Sequence, residues 1–122
     1  MNDSAAMQDA IAQARRWYWQ RISAMVLALC VLVHLLVMVY AVRGGLTGAE
    51  VLSRTRGNWG FGGFYAVFVL ACAVHVPAGL HNVAIEWLRW PSARALWVSR
   101  LFGAVILLLG LRAVWAVVGS AA

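Results

Sequence analysis

Three long apolar stretches constrain the fold of this 122-residue chain more than any other feature. They cover residues 22–42, 59–88 and 96–118, and a membrane-spanning helix needs about 20 mostly apolar residues. Charged residues make up 11% of the sequence and hydrophobic residues 64%, whereas a soluble domain has about 25% charged residues. We therefore predict an all-α membrane protein with three transmembrane helices, and an ordinary water-soluble domain is excluded.

The chain is expected to have an N-terminal segment, residues 1–21, followed by a three-helix transmembrane domain, residues 22–122. The polar, Ala-rich segment is compatible with an interfacial helix or with a frayed tail. The first apolar run is too long for a signal peptide, and no small-residue cleavage site follows it. We therefore expect the first span to be retained.

The distribution of arginine predicts the orientation, because cytoplasmic loops are enriched in basic residues. All ten basic residues are arginines, and the tenth, Arg112, lies within the third span. Six lie before the first span or around the second loop: Arg15, Arg16, Arg21, Arg89, Arg94 and Arg100. Three lie in the first loop: Arg43, Arg54 and Arg56. This predicts a multi-pass protein of the inner membrane with a cytoplasmic N-terminus and a periplasmic C-terminus. The formal charge of +6 is thereby explained by topology and lipid headgroup contact, and we expect no nucleic-acid partner.

The candidate site residues are the ionisable groups inside the spans, which are costly in a bilayer and mark a site or a partner. His34 lies 13 residues after Arg21, and His75 lies 14 residues before Arg89. At about 1.5 Å per residue both imidazoles are predicted at a similar depth, about 20 Å from the cytoplasmic edge. Coordination of haem iron by axial histidines is a common use of such buried imidazoles.

The surroundings of His75 favour haem. Gly79 follows one helical turn later and lacks the side chain that would collide with a porphyrin packed along the helix. The alternative is a histidine that forms a hydrogen bond to a neighbouring helix. Pro77, between the two, is expected to kink the second span.

Two further polar groups are candidates for contacts rather than for ligation. His81 lies about 240° around the helix from His75 and cannot bind the same iron; it could contact a haem propionate or a quinone carbonyl, or lie at the interface. Arg112 has no acid of this chain at its depth. A propionate of a second haem, an acid on a partner helix, or snorkelling to the membrane surface would each satisfy its charge.

Residues 75–82, HVPAGLHN, resemble the His-x-x-x-Gly-x-Arg-His segment of the cytochrome b membrane-anchor subunit of succinate dehydrogenase and fumarate reductase, the complex II superfamily. The resemblance implies that His75 is an axial ligand of haem b. His81 stands where the family has Arg, and Asn82 where it has His. The acid that follows in the family is here Glu86.

Residues 17–24, WYWQRISA, are similar to the family's Ser-x-x-His-Arg-x-Ser-Gly at the start of the first span. By this resemblance Arg21 and Ser23 help to form the quinone site on the cytoplasmic side. Trp17 stands at the position of the family's first Ser, Gln20 at that of the His and Ala24 at that of the Gly.

The family resemblance implies a haem b-binding membrane-anchor subunit of a succinate:quinone oxidoreductase, or of a fumarate reductase, in electron transport linked to the tricarboxylic acid cycle. Its partners would be a second hydrophobic anchor subunit and, on the cytoplasmic face, the iron–sulfur and flavoprotein subunits. Quinone would be the substrate. This chain itself has no dinucleotide fingerprint and no Cys cluster for oxidising succinate.

The number of haems stays open at this point. A single haem would use His75, with the second axial ligand from the partner subunit. Two haems would add His34 as a ligand and Arg112 as a propionate contact. His34 and His75 could also clamp one haem between them.

Two other functions are compatible with the same residues. One is a cytochrome b subunit of a different membrane oxidoreductase, although such subunits usually have four or more helices. The other is a haem-free structural anchor in which the histidines only form hydrogen bonds between helices.

Overall fold

The chain is entirely helical in the computed structural model, which describes residues 2–119. Helix α1 is Asp3–Arg43, α2 is Gly48–Thr55, α3 is Trp59–Glu86 and α4 is Ser92–Val118. Three of them, α1, α3 and α4, are long and apolar enough to cross a membrane. The predicted helical class and the three candidate spans are confirmed.

Helix α3 is the centre of the fold, because both α1 and α4 pack against it. Small residues make the α3–α4 interface: a Cβ added at Gly103 would lie 2.5 Å from Pro77 Cγ, and one at Gly110 would lie 2.5 Å from Val69 Cγ1. Among the described residues no large side chain is fully buried, and the buried apolar groups are mostly small. Close backbone approach through small residues is typical of helices that associate in a bilayer.

Pro77 lies inside α3 without ending the helix. Its ring leaves the carbonyl of Ala73 without the usual intrahelical donor. That carbonyl and the proline ring both face Gly103 on α4, where an added Cβ would lie 3.4 Å from Ala73 O. The glycine therefore lets α4 pack directly against the turn of α3 that contains Pro77.

Helix α1 is longer than the predicted first span. The predicted N-terminal segment, residues 1–21, was compatible with an interfacial helix or a frayed tail, but Asp3 onwards is continuous with the span as one helix of 41 residues, about 60 Å long. No proline or glycine interrupts residues 3–43, so nothing in the sequence separates the two parts.

The short helix α2 closes the end of the bundle that carries the first loop. Thr47 caps it: Glu50 N donates to Thr47 Oγ1 (3.3 Å), and Thr47 N donates to Glu50 Oε2 (2.7 Å). Thr55 Oγ1 then donates to Val117 O at 2.8 Å, and Gly57 N donates to Val118 O at 2.8 Å. The last carbonyls of α4, which have no partner in their own helix, are satisfied in this way.

The opposite end of the bundle is the basic end, defined by Arg15, Arg16, Arg21, Arg89, Arg94 and Arg100. The turn between α3 and α4 lies here and passes through Trp90 and Pro91; a residue before proline is disfavoured in helix. Trp90 N donates to Ala84 O (3.0 Å), and Arg89 has a positive φ of 52°.

Candidate functional site

The interface of α1 and α3 holds His75 in a defined orientation. Its Nδ1 lies 3.4 Å from Ser23 Oγ, and Ser23 is 5% exposed. The Ser23 hydroxyl also lies 3.0 Å from Gln20 O and can donate to it; with its hydrogen there, its oxygen accepts from His75 Nδ1. In this arrangement the proton of a neutral His75 is on Nδ1 and the lone pair is on Nε2.

This tautomer is the one in which a histidine binds a metal through Nε2 while its other nitrogen is fixed by a hydrogen bond. Among residues 2–119, Nε2 of His75 forms no hydrogen bond. One imidazole is sufficient for one axial position of a haem. Within the same part of the chain, no group of three or more His, Cys, Asp or Glu could hold a bare metal ion.

Gly79 lies one turn from His75, as the sequence predicts, and faces the side chain of Gln20. A Cβ at Gly79 would lie 3.5 Å from Gln20 Nε2, an ordinary contact distance. The space beside the glycine is therefore covered by a flexible amide rather than by backbone. The Oε1 atom of Gln20 is buried and has no partner among the described residues.

His34 has its own partners in the other half of the α1–α3 interface. Its Nδ1 lies 3.3 Å from Tyr65 Oη, and its ring packs edge-on against Tyr65 and Phe68, with centroids 5.7 and 6.0 Å away. A cleft of about 280 Å³ lined by His34, Phe64 and Tyr65 opens beside it.

The equal depth predicted for His34 and His75 is wrong. Ser23 faces His75, whereas His34 faces Tyr65, and the 11 residues from Ser23 to His34 correspond to about 16 Å along α1. The prediction took Arg21 and Arg89 as markers of one membrane edge, but α1 continues as helix well beyond Arg21. With metal–nitrogen bonds of about 2 Å, the two imidazoles cannot clamp one iron in this arrangement.

A polar cleft opens between α1, α3 and α4 at the basic end, and we refer to it as the basic-end cleft. Its volume is about 520 Å³, and its polar lining comprises Gln13, Arg16 and Gln20 from α1, His81 and Asn82 from α3, and Ser99 and Arg100 from α4. Trp17 and Pro77 contribute apolar surface. His81 thus lies in this cleft and not on the side of α3 that His75 presents to Ser23.

The residues predicted for quinone do not share one face of α1. Arg21 and Trp17 come together, with the guanidinium 5.1 Å from the indole centroid, and both side chains are exposed. Ser23, two residues from Arg21, is buried against His75. Trp17 is the member of the three that lines the basic-end cleft.

Arg112 is exposed on α4. Gly110 packs against Val69 of α3, so Arg112 lies near the level of Phe68 and of its neighbour His34. It is remote from the basic-end cleft and from His75.

Sequence reasoning did not single out four of the cleft residues: Gln13, Arg16, Ser99 and Arg100. A signal was available for the first two, because Gln13, Arg16, Trp17 and Gln20 follow each other at spacings of three, one and three residues, which place them on one side of a helix. No such signal exists for Ser99, whose position depends on how α4 packs on α3.

Comparison of the chain with protein-family models, with curated proteins and with solved structures found no match.

Proposed function

We propose that this chain is a haem b-binding membrane-anchor subunit of a succinate:quinone oxidoreductase or fumarate reductase. The observation that carries the proposal is His75: a half-buried imidazole in the middle of an apolar helix, whose Nδ1 faces the Ser23 hydroxyl and whose Nε2 has no hydrogen-bond partner among residues 2–119. This is the state in which a histidine acts as an axial ligand.

His75 would hold haem b through its Nε2 atom. Gly79, which has no side chain, would leave the space in which the flat ring lies. Bound haem supplies one-electron transfer chemistry. The side chain of Gln20 lies over Gly79 and would turn aside to admit a flat ligand. His34 and Arg112 lie at about the same height in the other half of the bundle. They are the candidates for a second haem.

The quinone substrate is assigned to the exposed pair Arg21 and Trp17 at the basic end. The Arg21 guanidinium would stabilise negative charge that develops on a quinone oxygen during reduction. Because this pair is open on one side, the second hydrophobic anchor subunit and the iron–sulfur subunit would complete the pocket. The flavoprotein subunit would bind to the iron–sulfur subunit, on the cytoplasmic side of the inner membrane.

The proposal is tested by haem quantification in the purified membrane complex. We expect a b-type difference spectrum on reduction with dithionite; His75→Ala should abolish it if there is one haem and halve it if there are two. His34→Ala is the matched control, with the spectrum retained if there is one haem and reduced by half if there are two. A full, unshifted spectrum in His75→Ala would contradict the assignment.

Activity assays separate the quinone role from the haem role. We expect Arg21→Ala to lower succinate:quinone reduction and to leave dye-linked succinate oxidation intact. Equal loss of both activities would contradict a quinone site at Arg21. Co-purification of a flavoprotein distinguishes complex II from the alternative of a cytochrome b subunit in another membrane oxidoreductase.

A haem-free structural anchor is the second candidate function. It is favoured by the hydrogen bonds that give each intramembrane histidine of the α1–α3 interface a partner within the chain, His75 to Ser23 and His34 to Tyr65. An intact complex without haem would support this alternative.

A further inference from the structure

We propose that the basic-end cleft binds the headgroup of an anionic phospholipid that also carries a hydroxyl group, of the phosphatidylglycerol type. This inference goes beyond the proposed function, although two cleft residues also belong to it: Gln20 lies over Gly79, and Trp17 is in the pair assigned to quinone. It rests on the charge of the cleft, on two polar atoms without partners, and on the position of the cleft along the helices.

The charge of the cleft selects an anion. Arg16 on α1 and Arg100 on α4 line it from opposite sides, and none of the described lining residues is acidic. The acids nearest in sequence to the lining, Asp9 and Glu86, are exposed outside it. Two guanidinium groups without a carboxylate between them provide several N–H donors for a phosphate.

Ser99 supplies the second, independent observation. It is 3% exposed, its Oγ has no hydrogen-bond partner among the described residues, and it lines the cleft. A buried hydroxyl without a partner costs about 1–3 kcal/mol. An acceptor oxygen in the cleft would remove that cost, and a phosphate provides such acceptors.

Gln20 extends the argument to the rest of the headgroup. Gln20 lines the same cleft, and its Oε1 is also buried without a partner; an amide oxygen is an acceptor and requires a donor. A phosphodiester offers no donor, whereas the glycerol hydroxyls of phosphatidylglycerol do. The pair Ser99 and Gln20 thus matches a ligand that has both a phosphate and a hydroxyl.

The position of the cleft fits a lipid rather than a soluble anion. Its α1 residues, 13–20, immediately precede the first apolar stretch, and its α4 residues, 96–100, begin the third. Trp17 lies at this level, and tryptophan is enriched where the hydrocarbon meets the headgroups. Basic pockets between transmembrane helices at the membrane surface bind anionic lipid headgroups, and Val74 and Ile85 on α3 offer apolar surface to the acyl chains.

The test is lipid binding to the complete membrane complex that contains this chain, washed in neutral detergent and analysed by native mass spectrometry. We expect one phosphatidylglycerol per copy of the chain to survive washing or to rebind on titration, in preference to phosphatidylcholine and to phosphatidic acid. Arg16→Gln combined with Arg100→Gln should weaken this binding by about tenfold or more, since two charge-assisted contacts are lost.

The matched control is Arg15→Gln combined with Arg94→Gln, which removes the same charge from the same end of the bundle outside the cleft. It should leave binding unchanged. Equal weakening in both double variants would mean general attraction to the membrane surface and would overturn the inference. So would full displacement of the lipid by inorganic phosphate, or binding that occurs only after haem or quinone is extracted.

Ser99→Ala gives a readout that does not depend on charge. In the delipidated complex this substitution should leave the midpoint of thermal unfolding unchanged or raise it, because a buried hydroxyl without a partner is removed. The increase in the midpoint on adding phosphatidylglycerol should be smaller than in the unmodified protein. An undiminished increase would show that Ser99 does not contact the headgroup.

Discussion

Ser23 Oγ on α1 lies 3.4 Å from Nδ1 of His75 on α3, and the same hydroxyl donates to the carbonyl of Gln20. One serine thereby holds Nδ1 of the imidazole and leaves Nε2 as the nitrogen available to a ligand. In the resemblance to complex II anchors, Ser23 belongs to the quinone site. In the structure its contact is with the histidine proposed to bind haem.

A role for Ser23 in positioning His75 predicts a specific phenotype for Ser23→Ala. The haem should still bind but dissociate about fivefold faster, since a hydrogen bond contributes about 1 kcal/mol, and the electron paramagnetic resonance signal of the ferric haem should broaden. Ser23→Thr keeps the hydroxyl and is the control. A spectrum and dissociation rate in Ser23→Ala equal to those of the unmodified complex would show that the contact is structural only.

The α3–α4 interface predicts which glycines are required for stability. In Gly103→Ala the new methyl group would lie 2.5 Å from the rigid ring of Pro77, and overpacking of this kind costs about 1–3 kcal/mol. We expect a lower midpoint of thermal unfolding in detergent. Gly63→Ala is the control, because a Cβ there meets nothing within 4 Å and alanine favours the helix; equal midpoints for the two variants would contradict the packing argument.

The spans could be predicted well because each one is defined by the hydrophobicity of its own residues. The predicted second and third spans, residues 59–88 and 96–118, correspond to the helices Trp59–Glu86 and Ser92–Val118. Helix α2 was not predicted, although Thr47 and Glu50 have the spacing of a capping box. An eight-residue helix contains too few apolar residues to be found by a search for spans.

The candidate site could be predicted only in part. His75 was identified because an ionisable group is costly inside a bilayer, and Gly79 because it lacks a side chain one turn away on the same helix face. The depth of His34 relative to His75, and the separation of Arg21 from Ser23, depend on which face of α1 packs against α3 and at what height. Ser99 is a small residue in an apolar helix, and nothing local distinguishes it.

The orientation predicted from arginine is tested by thiol labelling of intact cells. In a protein with Cys30 and Cys72 replaced by alanine, we expect Ser53→Cys on α2 to react with a membrane-impermeant maleimide from outside. Ser92→Cys, at the basic end, should react only after the cells are broken. The reverse pattern would place the basic end outside and would contradict a cytoplasmic N-terminus.

The capping box of α2 predicts a dependence on acid pH. Hydrogen bonds from Thr47, first from its backbone and then from its side chain, lower the pKa of Glu50 below its ordinary value of 4.5. A carboxylate whose pKa is lowered by folding stabilises the helix fully above its ordinary pKa, and that contribution is lost as the pH falls through the lowered value. Hydrogen exchange of the amides of residues 48–55, corrected for intrinsic rates, should therefore show protection that is constant near neutral pH and decreases below about pH 4.5.

In Glu50→Gln, which keeps a side chain able to accept from Thr47 N but has no carboxyl to titrate, protection should not change over this range. A decrease of the same size in Glu50→Gln would assign the acid sensitivity to another group.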